Sequence, residues 1–141
     1  VAPGQPRPTL SGPAINGILK GFIDVTVEHD GRYYLIDWKS NWLGPDAAAY
    51  TPEAIERAML DSRYDLQFVL YLVALHRHLA DRLPDYDYDR HVGGAAYVFL
   101  RGIEPAEDGK ASGAGVYTCR PDRALIEALD ALFAGGTEAV A

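Results

Sequence analysis

The chain has 141 residues and a mass of 15.4 kDa, with 48% hydrophobic and 23% charged residues, the size and composition of one globular domain that builds its own core. Its longest uninterrupted apolar run, Phe68 to Leu75, is eight residues long, far short of a bilayer-crossing helix. Thirteen basic residues against 20 acidic ones leave a net charge of −7, which excludes coating of nucleic acid by a uniformly basic surface and leaves open an acidic site that recruits cations.

The single cysteine, Cys119, excludes an internal disulfide or a cysteine-built zinc site and fits a reducing cytoplasm. Residues 1–16 hold four of the nine prolines and show no periodicity, so they read as a flexible lead-in without a secretory leader. A folded domain over 17–136 and a tail, 137–141, complete the expected organisation. Two runs of β-branched and aromatic residues, one containing Val25 and Val27 and one running from Tyr33 to Trp38, flank Asp30-Gly31. That dipeptide favours a two-residue type I′ turn, so a hairpin is predicted. Thr51-Pro52-Glu53 predicts a helix over 52–60, with Thr51 as N-cap and proline at the first helical position.

A second helix is predicted over 62–82, with Leu66, Phe68, Val69, Leu70, Leu72, Val73, Leu75 and Leu79 around most of its circumference. That pattern describes the buried central helix of the domain. One stripe differs: Tyr64, Gln67, Tyr71, Ala74 and His78 follow 3–4 spacing and are polar or small. The segment 84–90 reads as turns, and Gly93 to Leu100 as a strand buried on both faces. A polar loop over 101–115 and a short strand over 116–120 precede a last helix over 122–134, with Leu125, Leu129, Leu132 and Phe133 as its apolar face and Gly135-Gly136 as its stop. The order β-β-α-α-β-β-α predicts an α/β fold, a mixed sheet flanked by helices.

The hairpin carries a geometric consequence. With Asp30 and Gly31 in the turn, the register sets Asp24 opposite Asp37, their Cβ atoms roughly 4.5–5.5 Å apart on one face. Opposed like charges destabilise a sheet unless they are neutralised. A divalent cation is the natural neutraliser, since Mg²⁺ prefers hard oxygen ligands and keeps waters for substrate phosphates. Lys39 lies two residues beyond Asp37 and therefore on the same face, with Tyr34, Ile36 and Trp38 on the other. A lysine there can orient or help deprotonate an attacking water and offset charge on a phosphoryl group. Asp24, Asp37 and Lys39 thus form a candidate phosphodiester-hydrolysis site. An Asp-x-Lys triplet alone is common by chance, and it is the pairing register that carries the reading.

Gly21-Phe22-Ile23-Asp24, then Asp37-Trp38-Lys39-Ser40-Asn41-Trp42-Leu43-Gly44, then Arg63-Tyr64-Asp65-Leu66-Gln67 with Tyr71 resemble the C-terminal nuclease domain of the RecB family, within the PD-(D/E)xK nuclease superfamily. The likeness extends through Tyr97-Val98-Phe99-Leu100-Arg101-Gly102 and covers about 19–135. It implies a restriction-endonuclease-like core whose N-terminal helical part is missing. It implies Mg²⁺ held by Asp24, Asp37 and the backbone carbonyl of Trp38, with Mn²⁺ or Ca²⁺ able to occupy the same place. Lys39 becomes the catalytic lysine. Gln67 and Tyr71 match the family's Q-x-x-x-Y element and would contact or position DNA, with core packing the plain alternative for Tyr71. Ser40 and Asn41 would support the site, and Asn41 could also reach a phosphate.

The activity so implied is metal-dependent exodeoxyribonuclease action during double-strand-break repair by homologous recombination. The implied partners are DNA, mainly single strands, RecC-like and RecD-like subunits of a longer cytoplasmic helicase-nuclease, and the recombinase RecA. One departure stands out. The family's further metal-binding histidine lies upstream of the Gly21-Phe22-Ile23-Asp24 segment, where this chain is rich in proline and glycine; His29, His76, His78 and His91 do not occupy that position. The alternative is therefore a catalytically incomplete module that docks RecA. There is no phosphate-binding loop of the helicase type, and one cysteine argues against relatives built around a four-cysteine iron–sulfur cluster.

Overall fold

The computed structural model describes residues 4–9, 20–104 and 114–135. Asp30 and Gly31 have φ of 51° and 74°, the left-handed pair that a type I′ turn requires. The Gly31 N–H donates to Glu28 Oε1 at 2.7 Å, and the turn joins β1 (Val25–His29) to β2 (Arg32–Lys39) with His29 opposite Arg32 and Val25 opposite Ile36. The ladder stops there. The predicted Asp24–Asp37 rung does not form; the Asp24 carboxylate instead accepts the Trp38 N–H through Oδ2 at 3.0 Å. A side-chain bridge replaces the last rung, and Asp24 still lies beside the end of β2.

Thr51 caps α1 (Pro52–Asp61) by accepting the Ala54 N–H at 3.2 Å. Arg63, with φ 54°, interrupts the helical run, so α2 spans Tyr64–Arg82 and begins two residues later than its apolar pattern suggests. Within the segment read as turns, Asp87 Oδ1 accepts the Arg90 N–H at 3.0 Å and caps a single-turn helix, α3 (Tyr88–His91). β3 (Val92–Phe99), β4 (Val116–Cys119) and α4 (Arg123–Phe133) follow. The sheet order is β1-β2-β3-β4, with β2 and β3 parallel and the outer pairs antiparallel. The long crossover between parallel strands runs through α1, α2 and α3. This is the mixed, helix-flanked α/β sheet predicted.

One face of the sheet is the core. Leu35, Asp37 and Lys39 of β2 align with Ala95, Tyr97 and Phe99 of β3, all buried, and Phe68 of α2 meets Tyr97 edge to face. The opposite face is more open: Tyr34 and Ile36 are half-buried and Trp38 is exposed. β3 is accordingly not buried on both faces as predicted, because α2 covers only the Tyr97 side, and Ala96 and Val98 remain half-buried. Leu100 leaves the strand for a short turn.

The predicted apolar face of α4 is also displaced. Leu129 packs half-buried against the core as expected, but Ile126 is the buried residue, while Leu125, Leu132 and Phe133 are exposed. The cause is a narrow contact with α2, where Arg77 pairs with the Asp130 carboxylate and donates to its carbonyl at 3.0 Å. Gly135, at φ 87°, follows the helix as expected; Gly136 and the tail lie outside the described residues. Of the lead-in, residues 4–9 meet the start of α2: Arg7 pairs with the buried Asp65 at 2.8 Å, and Arg63 donates to the Pro8 carbonyl at 2.8 Å. Among the described residues no helix is long and apolar enough to cross a membrane.

Candidate active site

Asp37 and Lys39 stand at the C-terminal end of β2, beside the parallel strand β3, where open α/β sheets hold their ligands. Lys39 Nζ is 2.6 Å from Asp37 Oδ2, and the two residues are only 8% and 7% exposed. A buried ion pair repays its desolvation only when further polar groups satisfy it. α2 supplies one: Gln67 Oε1 accepts from Lys39 Nζ at 3.0 Å. The same oxygen accepts from the Tyr97 hydroxyl at 3.1 Å, and Gln67 Nε2 donates to the Tyr71 hydroxyl at 3.1 Å. The amide orientation follows, since a flipped Gln67 would set its NH₂ group against the ammonium. Two rings complete the enclosure, with Lys39 Nζ 3.8 Å from the centroid of Tyr64 and 4.9 Å from that of Tyr97, within cation–π range.

The Tyr97 hydroxyl is pushed far up from its ordinary pKa, first by burial and then by the charge of Asp37, with Tyr71, Tyr64 and Asp24 adding to the effect. It is therefore a permanent proton donor toward Gln67 at any physiological pH. Asp24 itself is exposed and anchored to the Trp38 N–H. Oδ1 of Asp24 and Oδ1 of Asp37 take no hydrogen bond among the described residues.

These carboxylates and the Trp38 carbonyl are hard oxygen donors, which fit Mg²⁺ or Ca²⁺ rather than a soft metal. No group of three or more His, Cys, Asp or Glu side chains that could hold a metal occurs among the described residues; the oxygen donors they offer here are the two carboxylates and the Trp38 carbonyl.

The remaining predicted residues are placed as braces. The Ser40 carbonyl accepts from Arg101 Nε at 3.3 Å. Asn41 Oδ1 accepts from the Tyr64 hydroxyl at 3.2 Å, which fixes the ring over Lys39, and the Asn41 carbonyl accepts from Tyr50 at 2.9 Å. None of the histidines joins the site: His76 Nδ1 is 2.8 Å from the Tyr86 hydroxyl, His91 Nδ1 accepts from the Asp87 N–H at 3.0 Å, and His29 and His78 are exposed. Tyr64 and Tyr97 also belong to the site, beyond the residues the sequence marks for it. Tyr64 heads the polar stripe that contains Gln67 and Tyr71, a usable signal. Tyr97 depends on the β2–β3 register, for which no turn gives a rule.

Comparison with known proteins gives the family. Residues 4–139 match the PD-(D/E)XK nuclease superfamily. The chain belongs to that superfamily. It is 52% identical over 130 residues to the RecBCD enzyme subunit RecB of Escherichia coli (strain K12), covering 92% of this chain and 11% of that protein. Against the RecB subunit of Haemophilus influenzae it is 44% identical over 130 residues, covering 91% of this chain and 10% of that one. The Mycobacterium tuberculosis (strain H37Rv) subunit is also 44% identical over 130 residues, with 90% and 12% covered. The chain thus spans about a tenth of the length of these relatives, and it is a RecB-like PD-(D/E)XK nuclease domain with an α/β, restriction-endonuclease-like fold.

Proposed function

We propose that this domain is a Mg²⁺-dependent DNase that hydrolyses phosphodiester bonds in DNA, mainly in single strands. The observation that carries the reading is the buried Asp37–Lys39 pair, locked by Gln67 at the end of β2 with Asp24 beside it. Asp24, Asp37 and the Trp38 carbonyl would hold the cation, which when bound supplies Lewis-acid activation of water and phosphoryl oxygen. Lys39 places positive charge where the phosphoryl group gains negative charge. Gln67, Tyr97 and Tyr71 hold that lysine in one position, so the charge is preorganised. The products are a 5′-phosphate and a 3′-hydroxyl.

Likeness to RecB subunits supports a wider role as the exodeoxyribonuclease part of a cytoplasmic helicase-nuclease. With RecC-like and RecD-like subunits it would process strands in double-strand-break repair by homologous recombination. The test is incubation of the domain with single-stranded DNA and Mg²⁺. Asp37→Ala and Lys39→Ala should each abolish cleavage, and activity surviving either change overturns the assignment. A second reading, a docking module for RecA without cleavage, is favoured by the two-carboxylate donor set. Tight Mg²⁺ or Mn²⁺ binding with no cleavage of single strands would select it.

A further inference from the structure

Two aromatic side chains beside the site are among the most exposed large apolar residues described, Phe22 at 73% and Trp42 at 67%. Aromatic rings are ordinarily the first groups a small domain hides, so their backbone settings matter.

Trp42 sits between two residues held by one buried hydroxyl. Tyr50, 3% exposed, donates to the Asn41 carbonyl at 2.9 Å and accepts the Leu43 N–H at 3.2 Å. The chain is thus clamped on both sides of Trp42 while its ring faces solvent. The segment before Phe22 lies close to Tyr71: a β-carbon at Gly21 would lie 2.7 Å from Tyr71 Cε1, so a side chain there would have to displace the Tyr71 ring.

Both anchors lead to the same lysine. Tyr71 bonds Gln67, which bonds Lys39, and Asn41 bonds Tyr64, whose ring covers Lys39. Each aromatic segment also carries or binds a cation. Lys20 Nζ lies 5.2 Å from the Phe22 centroid, and Arg101 Nε donates to the Ser40 carbonyl two residues before Trp42. Exposed rings and cations on segments tied to the candidate site are the elements of a stacking platform for unpaired bases.

We propose that Phe22 and Trp42 are base-stacking residues for single-stranded DNA, with Lys20 and Arg101 on its phosphates, so that a strand is drawn across Asp24, Asp37 and Lys39. This rests on the DNase reading and deepens it. It also explains how a chain of net charge −7 can hold DNA: stacking and local cations replace a basic field. Duplex bases are already stacked on one another and offer no free face, so the platform selects single strands.

The test is equilibrium binding, in EDTA, of the whole chain to a fluorescent oligothymidylate and to an abasic strand of equal length. Wild type should prefer the thymidylate, and Phe22→Ala and Trp42→Ala should each weaken that binding by about 5- to 100-fold while barely changing the abasic affinity. Leu132→Ala, an exposed apolar residue on α4, should change neither. Equal weakening on both strands, unchanged thymidylate binding, the same loss from Leu132→Ala, or duplex bound as well as single strand would each overturn the proposal. Because no metal is present, failure here is distinct from loss of the hydrolysis assignment, which Asp37→Ala and Lys39→Ala read in cleavage assays.

Discussion

Lys39 Nζ and Gln67 Oε1 stand 3.0 Å apart and join the end of β2 to the first turn of α2 across 28 residues of sequence. An ammonium has three donors. Asp37 takes one, and Gln67 draws a second toward the helix, so lysine position is set by two elements at once. Gln67→Leu keeps comparable volume and removes the acceptor. Misplacing a charged group by about 1 Å costs about 10²-fold in rate, and that is the loss expected in single-strand cleavage, with far-UV circular dichroism unchanged. Full activity in the leucine variant would separate Gln67 from the site.

The rings around Lys39 can be told apart from its hydrogen bonds. Tyr64→Phe keeps a face 3.8 Å from the ammonium and loses only the bond to Asn41, whereas Tyr64→Leu loses both. A desolvated cation–π contact contributes about 2 kcal/mol, so the leucine variant should cleave at least about tenfold more slowly than the phenylalanine variant. Equal rates would show that the ring face contributes nothing. Tyr97→Phe tests the other arm: removing a buried hydroxyl that bonds Gln67 should lower unfolding stability by about 1 kcal/mol in a urea titration.

Legibility in the sequence followed the range of the interaction. The Asp30-Gly31 turn fixes its neighbours locally, so the hairpin register and the shared face of Asp37 and Lys39 are readable without tertiary information. The N-cap at Thr51 and the polar stripe with Gln67 and Tyr71 are local too. Asp24 departs from the expected strand pairing because its short carboxylate competes for a backbone N–H, a choice invisible to strand parity. Tyr97 enters the site through a parallel pairing 60 residues away in sequence, Asp37 with Tyr97, which no local signal encodes. The face of α4 was misplaced for the same reason, since its apolar residues outnumber those α2 can cover.

Stability should fall in alkali. Burial pushes the Tyr86 hydroxyl up to about 12, against an ordinary tyrosine near about 10, and burial raises Tyr88 and Tyr117 in the same direction. A raised folded-state value means the unfolded chain loses its proton first. The stabilisation is complete below about pH 10 and is lost as pH rises toward 12. Thermal midpoints measured from about pH 9 to pH 12 should decline, and less steeply in Tyr86→Phe, which has no phenol to ionise at that position. A midpoint that does not change over this window would contradict the burial of these hydroxyls.

The narrow seat of α4 gives the last expectation. Ile126 is fully buried at 0% exposure, whereas Leu132, six residues on, is 63% exposed. Truncating a buried isoleucine to alanine removes its transfer energy and leaves a cavity, at a cost of about 2–5 kcal/mol. An exposed leucine away from such features changes stability by no more than about 0.5 kcal/mol. Ile126→Ala should therefore shift the urea midpoint strongly and Leu132→Ala hardly at all. The reverse order would mean that Leu132, not Ile126, is the residue α4 buries, and that the helix is rotated about its axis from the orientation in which Arg77 reaches Asp130.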